Sequence, residues 1–143
     1  LAADGFFVNQ VGLQTIQGVN LIVAVSLGGY LLGRKGAAVA VLEAAGITAC
    51  FSATVSSEEV ARGKPSTDVY LEAARRLGLD PVACVAVEDS ANGIFAAAAA
   101  GKRVIAYPNR RYPPGAEALA LADSVIASLT DVATVIGVAG TRT

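Results

Sequence analysis

The sequence predicts a single α/β domain over residues 1–143, with a parallel, Rossmann-like sheet in three α/β/α layers. Short apolar runs alternate with segments of helical periodicity, which is typical of parallel βαβ units. The runs are continuously apolar, as expected for strands that are covered on both faces. A length of 143 residues suits one core rather than two.

The first half of the chain contains two strand candidates and two helix candidates. Leu21–Val25 is a short apolar run that predicts a strand, and Ala53–Val55 is a second, shorter strand candidate. Lys35–Ala45 has apolar residues at helical spacing, and Gly46 is placed to end that helix. A second helix is predicted to begin at Ser66–Asp68 and to end at Gly78, with one apolar face made of Tyr70, Ala73, Ala74 and Leu77.

The second half repeats the alternation. Cys84–Val87 predicts a strand, and Ser90 is placed to cap a helix that runs to Gly101. Arg103–Tyr107 predicts the next strand, which Pro108 closes. The remaining predictions are a loop over 109–115, a short helix over 116–122, a strand over 124–126 and a closing helix over 131–136.

The composition excludes several classes of function. Eleven basic and twelve acidic residues give a net charge of −1, which lacks the basic footprint of a nucleic-acid binder. The absence of histidine excludes Ser-His-Asp and Cys-His hydrolysis and histidine-ligated zinc. Cys50 and Cys84 lie among apolar neighbours, so we expect small buried residues and a reducing, cytoplasmic setting.

The segment Val11–Gly33 is uncharged and ends against Arg34 and Lys35, the outline of a spanning helix with a positive flank. Polar residues interrupt its first half, and Gly28 and Gly29 interrupt its second. The apolar run that remains is short enough for a buried strand. We therefore expect no membrane segment and keep an anchor as the alternative.

Polar residues at predicted strand ends are the candidates for chemistry, because ligands bind beyond the carboxyl ends of parallel strands. Glu88 and Asp89 follow one strand directly, and adjacent carboxylates of this kind suit Mg²⁺. A helix-capping role is the alternative for either. Lys64, between Gly63 and Pro65, can neutralise a phosphate, although a lone loop lysine is usually only solvated.

Two further groups are weaker candidates. Ser26 ends the strand Leu21–Val25 and could donate its hydroxyl to a phosphate oxygen, although a turn role is common for a lone serine. Arg110, Arg111 and Tyr112 could help to bind an anionic substrate, but a solvated loop is the favoured interpretation.

Taken together, these residues resemble the haloacid dehalogenase-like (HAD) superfamily of phosphotransferases. The resemblance is best from Val55 to Val104. Within it, Glu59–Pro65, Tyr70–Gly78 and Val87–Ile94 look like the branch that contains β-phosphoglucomutases and small phosphomonoesterases. Motif, spacing and helix context agree over about the last two thirds of the chain.

The resemblance implies a HAD-like core and Mg²⁺-dependent phosphoryl transfer, through an aspartyl-phosphate, on a small phosphorylated metabolite. In it Ser26 would bind phosphate, Lys64 would bind phosphate and assist catalysis, and Glu88 and Asp89 would bind the metal. A carboxylate nucleophile divides one displacement at phosphorus into two easier ones. Mg²⁺ and the lysine would neutralise charge on the transferred group.

The family's first motif, Asp-x-Asp-Gly, fits this chain in one register only. That register places Asp4 at the position of the general acid and base and of the metal site, and Ala2 at the position of the nucleophile. Only residues 10–20 lie between this motif and the Ser26 strand, so we expect no cap domain. The face of the protein that the absence of a cap leaves exposed could favour formation of a homodimer. The alternative function is a catalytically inactive relative that binds phosphate or metal.

Overall fold

The protein is described by a computed structural model that covers residues 8–16, 19–27, 43, 46 and 48–137, with side chains from residue 43 onward apart from residue 50. It contains five strands and four α-helices in this part of the chain, joined by short 3-10 turns. In chain order they are β1 (Val8–Ile16), β2 (Val19–Leu27), α1 (Asp68–Leu77), β3 (Cys84–Glu88), α2 (Ala91–Ala99), β4 (Arg103–Ala106), α3 (Ala116–Leu119), β5 (Ser124–Val125) and α4 (Val132–Val135).

The five strands form one sheet in the order β1-β2-β3-β4-β5. The strands from β2 to β5 are parallel to one another, while β1 pairs antiparallel with β2 at one edge. Because β2 and β3 are parallel neighbours, with Val23 beside Val87, their carboxyl ends meet at the same edge of the sheet. That edge positions the candidate site.

Both faces of the sheet are covered, which confirms the predicted three-layer class. Successive strand residues point to opposite faces, and the buried residues accordingly divide into two clusters. One cluster joins α1, α2 and α3 to one face through Cys84, Ala86, Val104 and Ala106. The other joins α4 to the opposite face through Val85, Val87, Ile105, Ile126, Val132 and Ile136.

Helices α1 and α2 begin and end within two residues of the predicted positions, while α3 ends at Leu119, three residues earlier than predicted. Ser90 caps α2, its side chain accepting a hydrogen bond from the backbone N–H of Gly93. Gly78 ends α1 in the left-handed conformation, with φ of 65°, and its N–H donates to carbonyls of the last turn. The predicted face of α1 is buried at Tyr70, Ala73 and Ala74.

The prediction of a strand at Ala53–Val55 is wrong. These residues form no ladder, although Val55 is fully buried. The carbonyl of Thr54 instead accepts a hydrogen bond from Arg76 of α1 at 2.6 Å, and Ser56 begins a capped 3-10 turn. A side chain and a turn thus satisfy backbone groups that a neighbouring strand would otherwise bind.

The amino-terminal region also departs from expectation. Residues 8–16 form the strand β1, which the sequence did not predict and which pairs antiparallel with β2. Residues 10–16 and 19–20, which lie between the family's first motif and the Ser26 strand in the sequence, belong to these two paired strands. The predicted helix Lys35–Ala45 lies outside the described residues except for Glu43, which is helical. No helix in the described ranges has the length and apolar character needed to cross a membrane.

Candidate functional site

The carboxyl end of β3 carries a buried carboxylate, Glu88, which is 1% exposed. Strand alternation turns its side chain toward the face covered by α1 and α2. There its Oε1 accepts hydrogen bonds from the ammonium of Lys64 and from the hydroxyl of Tyr70 on α1. The side chains of Lys64 and Glu88 are 3% and 0% exposed, so the ion pair is almost completely removed from solvent.

A glycine of α2 makes room for this carboxylate. Gly93 lies directly against Glu88, and a Cβ at this position would be 1.7 Å from Oε2 of Glu88. On the same side, the hydroxyl of Ser90 lies 3.5 Å from Oε2 and donates to it. The cap and the glycine of α2 therefore shape the Glu88 site together.

Burial and the neighbouring ammonium act in opposite directions on the pKa of Glu88. Burial raises the pKa of the Glu88 carboxyl above its usual value, and the Lys64 ammonium and the Tyr70 hydroxyl oppose that rise. Burial and the neighbouring carboxylate raise the pKa of the Tyr70 hydroxyl well above its ordinary value. Tyr70 is therefore a neutral donor, and Lys64 supplies the cation that a buried carboxylate requires.

Asp89 is held differently from Glu88. Its backbone carbonyl accepts from the N–H of Asn109 at 3.0 Å, and its Oδ2 accepts from Asn109 Nδ2 at 3.3 Å. Its Oδ1 is buried and has no hydrogen-bond partner within the described structure. A buried carboxylate oxygen without a partner is costly unless a ligand completes it.

The two carboxylates fit a hard divalent cation. Mg²⁺ takes oxygen ligands and usually binds one or two protein carboxylates while keeping several waters. Oδ1 of Asp89 has no partner among the described residues, whereas Oε1 of Glu88 already accepts from two donors. The described side chains contain no cluster of three or more His, Cys, Asp or Glu that could hold a metal ion. Asp89 is thus the better placed of the two carboxylates at the end of β3 to bind the ion.

The other predicted site residues lie at the sheet edge, on the exposed surface or outside the described part of the chain. Ser26 lies on β2 beside Asn9 of β1, three residues beyond Val23 and at the carboxyl edge of the sheet. Asp4 and Ala2 lie outside the described residues. Arg110 and Arg111 are exposed, and neither forms a salt bridge with a described residue.

Sequence reasoning missed three residues that build the site, namely Tyr70, Gly93 and Asn109. Tyr70 has the helical spacing of a core residue, and nothing local distinguishes its hydroxyl. Gly93 in the first turn of a helix was a usable signal, because glycine in a helix needs a packing or functional reason. Asn109 follows a proline at a strand end, where asparagine commonly forms a turn.

A second buried lysine lies near the same tyrosine. Lys102 is 5% exposed, and its Nζ has no hydrogen-bond partner among the described residues. The Nζ atoms of Lys102 and Lys64 lie 5.9 Å and 5.4 Å from the centroid of the Tyr70 ring. Burial lowers the pKa of Lys102, and the nearby groups that act on it are Cys84 and Asp80.

Lys102→Met is expected to stabilise the protein by about 1 kcal/mol near neutral pH, because it keeps the apolar stem and removes a buried unpaired ammonium. Between the lowered pKa of Lys102 and its ordinary 10.5, the unfolded chain binds more protons than the folded one. The stability of the wild type should therefore rise with pH across that window, and the variant should lose this rise. Urea unfolding at several pH values measures both effects. A variant less stable than the wild type near pH 7 contradicts the prediction.

Comparison with known proteins gives one family. The sequence model of the haloacid dehalogenase-like hydrolase family matches residues 13–101 of this chain. The chain is 49% identical over 83 residues to a bifunctional riboflavin kinase/FMN phosphatase of Arabidopsis thaliana, covering 58% of this chain and 21% of the relative. It is 42% identical over 83 residues to hexitol phosphatase B of Escherichia coli K12, covering 57% and 36%. The chain therefore spans between about a fifth and a third of the length of these two relatives.

Solved structures agree with the family match. A HAD family hydrolase from Deinococcus radiodurans R1, solved with bound phosphate and sodium, is 34% identical with a TM-score of 0.57 over 66% of this chain and 44% of its own. A β-phosphoglucomutase from Clostridium difficile is 26% identical with a TM-score of 0.59 over 69% and 41%. Both resemble this chain in fold.

Proposed function

Because the chain belongs to the haloacid dehalogenase-like hydrolase family, we propose that it serves Mg²⁺-dependent phosphoryl transfer, of the phosphatase or phosphomutase type, on a small phosphorylated metabolite. The observation that carries the proposal is the carboxyl end of β3. There a buried Lys64–Glu88 ion pair lies beside Asp89, whose buried Oδ1 has no partner in the described structure. The names of similar proteins support the substrate class, since they include FMN phosphatase, hexitol phosphatase and pseudouridine-5'-phosphatase.

In this proposal each residue has a defined task. Glu88 holds the Lys64 ammonium at the strand end, where it neutralises a transferring phosphoryl group. Asp89, with Glu88, would hold Mg²⁺, which supplies positive charge for the phosphate oxygens when it is bound. Ser26 would donate its hydroxyl to a phosphate oxygen, and Asp4 would transfer the proton as general acid and base and contribute to the metal site.

The second candidate function is binding without turnover, and one observation favours it. Ala2 stands where the family's first motif places the nucleophile, and alanine has no oxygen that can attack phosphorus. Such a protein would bind Mg²⁺ and a phosphate analogue at the same residues without releasing phosphate. Measuring binding and turnover on the same samples separates the two functions.

Asp89→Asn is expected to lower Mg²⁺-dependent phosphate release by at least about 100-fold, because the amide removes the charge of a metal ligand. Release of inorganic phosphate from a panel of small sugar phosphates and FMN, with Mg²⁺ or with EDTA, measures the effect. Glu117→Gln, which neutralises an exposed carboxylate elsewhere, is the matched control and should retain full activity. Turnover that persists in EDTA or in Asp89→Asn contradicts the proposal. Mg²⁺-dependent binding of vanadate without turnover favours the second function.

A further inference from the structure

Asn109 makes hydrogen bonds on both sides of its amide. Its Nδ2 donates to Oδ2 of Asp89 at 3.3 Å. Its Oδ1 accepts from the backbone N–H of Arg111 at 2.9 Å and of Tyr112 at 3.2 Å. One side chain therefore joins the carboxylate at the end of β3 to the turn that displays Arg110 and Arg111.

The asparagine amide meets two requirements at once. The side facing the loop must accept from two N–H groups, and the side facing Asp89 must donate to a carboxylate, so the orientation of the amide is determined by its partners. Aspartate would place a second carboxylate against Asp89. Serine could still form a turn through its hydroxyl, but it is too short to reach Asp89.

The contacts of Asn109 also select which oxygen Asp89 presents. The backbone N–H of Asn109 donates to the Asp89 carbonyl at 3.0 Å, while Nδ2 holds Oδ2. Asn109 thus holds Asp89 at its backbone and at Oδ2 of its carboxylate, and the oxygen left without a partner among the described residues is the buried Oδ1. Partners of a ligating carboxylate orient it and tune its affinity for the metal.

We infer that Asn109 is a positioning residue for cation binding, which fixes Asp89 so that Oδ1 is free for the ion and couples that ion to the loop of residues 110–112. This inference rests on the proposed function, because it takes Asp89 as a ligand of the cation. The loop, which bears two exposed arginines, therefore changes conformation when a cation occupies the Asp89 site.

The test measures Mg²⁺ binding by the full chain, without any substrate. Asn109→Ala is expected to weaken Mg²⁺ binding by about tenfold in calorimetric titration, the loss typical for an outer partner of a metal ligand. Asn109→Ser should weaken it equally, since serine keeps a turn but not the bond to Asp89. Pro113→Ala, an exposed change in the same loop, should retain wild-type affinity.

A spectroscopic readout distinguishes positioning from a purely structural role. In ¹H–¹⁵N spectra of the wild type, Mg²⁺ should shift the amide resonances of Arg111 and Tyr112, which donate to Asn109. In Asn109→Ala these shifts should vanish even at saturating Mg²⁺. Wild-type Mg²⁺ affinity in Asn109→Ala and Asn109→Ser, or loop shifts that survive in Asn109→Ala, would overturn the inference alone. Failure of the wild type to bind Mg²⁺, or affinity unchanged by Asp89→Asn, would overturn the proposed metal site and the coupling with it.

Discussion

Lys64→Met is expected to destabilise the protein by about 3 to 5 kcal/mol, the loss typical when one partner of a buried ion pair is removed. The ammonium of Lys64 is the cation bound to Glu88, and both side chains are buried. Methionine fills much of the same volume, so the loss comes from leaving a buried carboxylate whose remaining partners among the described side chains are the Tyr70 hydroxyl and, more weakly, Ser90. Urea unfolding monitored by circular dichroism measures the change.

Lys102→Met is the matched control, because it makes the same substitution at the other buried lysine beside Tyr70. The two variants should change the free energy of unfolding in opposite directions, since one cation has a carboxylate partner and the other has no hydrogen-bond partner in the described structure. Adding Glu88→Gln to Lys64→Met should recover part of the lost stability, because glutamine replaces the buried carboxylate that has lost its cation with a neutral amide. Equal and small effects of the two methionine variants would contradict this account of the buried pair.

Local patterns in the sequence predicted the elements from α1 to α4 well. The face of α1, the serine cap of α2 and the glycine end of α1 each depend on residues within a few positions of one another. Such signals reflect helical periodicity and capping chemistry, which act locally. The parallel order of β2 to β5 likewise follows from the alternation of strands and helices.

The elements that could not be predicted depend on distant partners. The mixed polar and apolar residues of β1 become a strand because the long apolar β2 pairs with them along its whole length. The segment Ala53–Val55 pairs with no strand of the described residues, and Arg76 binds its backbone instead. In both cases the partner, and not the segment itself, determines the structure.

The candidate site also combines features that depend on neighbouring residues in the sequence with features that depend on distant ones. Strand ends at Glu88 and Asp89 were visible in the sequence, because ligands collect at the carboxyl edge of a parallel sheet. The different roles of the two carboxylates were not visible. Glu88 is bound by Lys64, 24 residues away, and by Tyr70, 18 residues away, while Asp89 is bound by Asn109, 20 residues away. The assignment of Glu88 as a metal ligand stays a prediction, and its observed partners favour a role in holding Lys64.

Gly93→Ala is expected to destabilise the protein by about 3 kcal/mol or more, because the added methyl group would occupy the position of the Glu88 carboxylate. The new Cβ would lie 1.7 Å from Oε2 and 2.1 Å from Cδ of Glu88. Either α2 moves away from the sheet or Glu88 leaves its contacts with Lys64 and Tyr70. The first outcome opens the packing around the buried pair and the second breaks the pair, so phosphate release should fall together with stability in the same samples.

Gly115→Ala is the control for the loss of a glycine, since a Cβ there meets nothing within 4 Å and the backbone φ of −68° suits alanine. It should change stability by less than about 1 kcal/mol. The sharper comparison introduces Gly93→Ala into Glu88→Ala. Glu88→Ala removes the three atoms nearest to the added methyl group, and alanine is favoured over glycine within a helix by up to about 1 kcal/mol. The same substitution should therefore destabilise the wild type and stabilise the Glu88→Ala variant. If Gly93→Ala destabilises both backgrounds equally, the helix backbone rather than Glu88 requires the glycine.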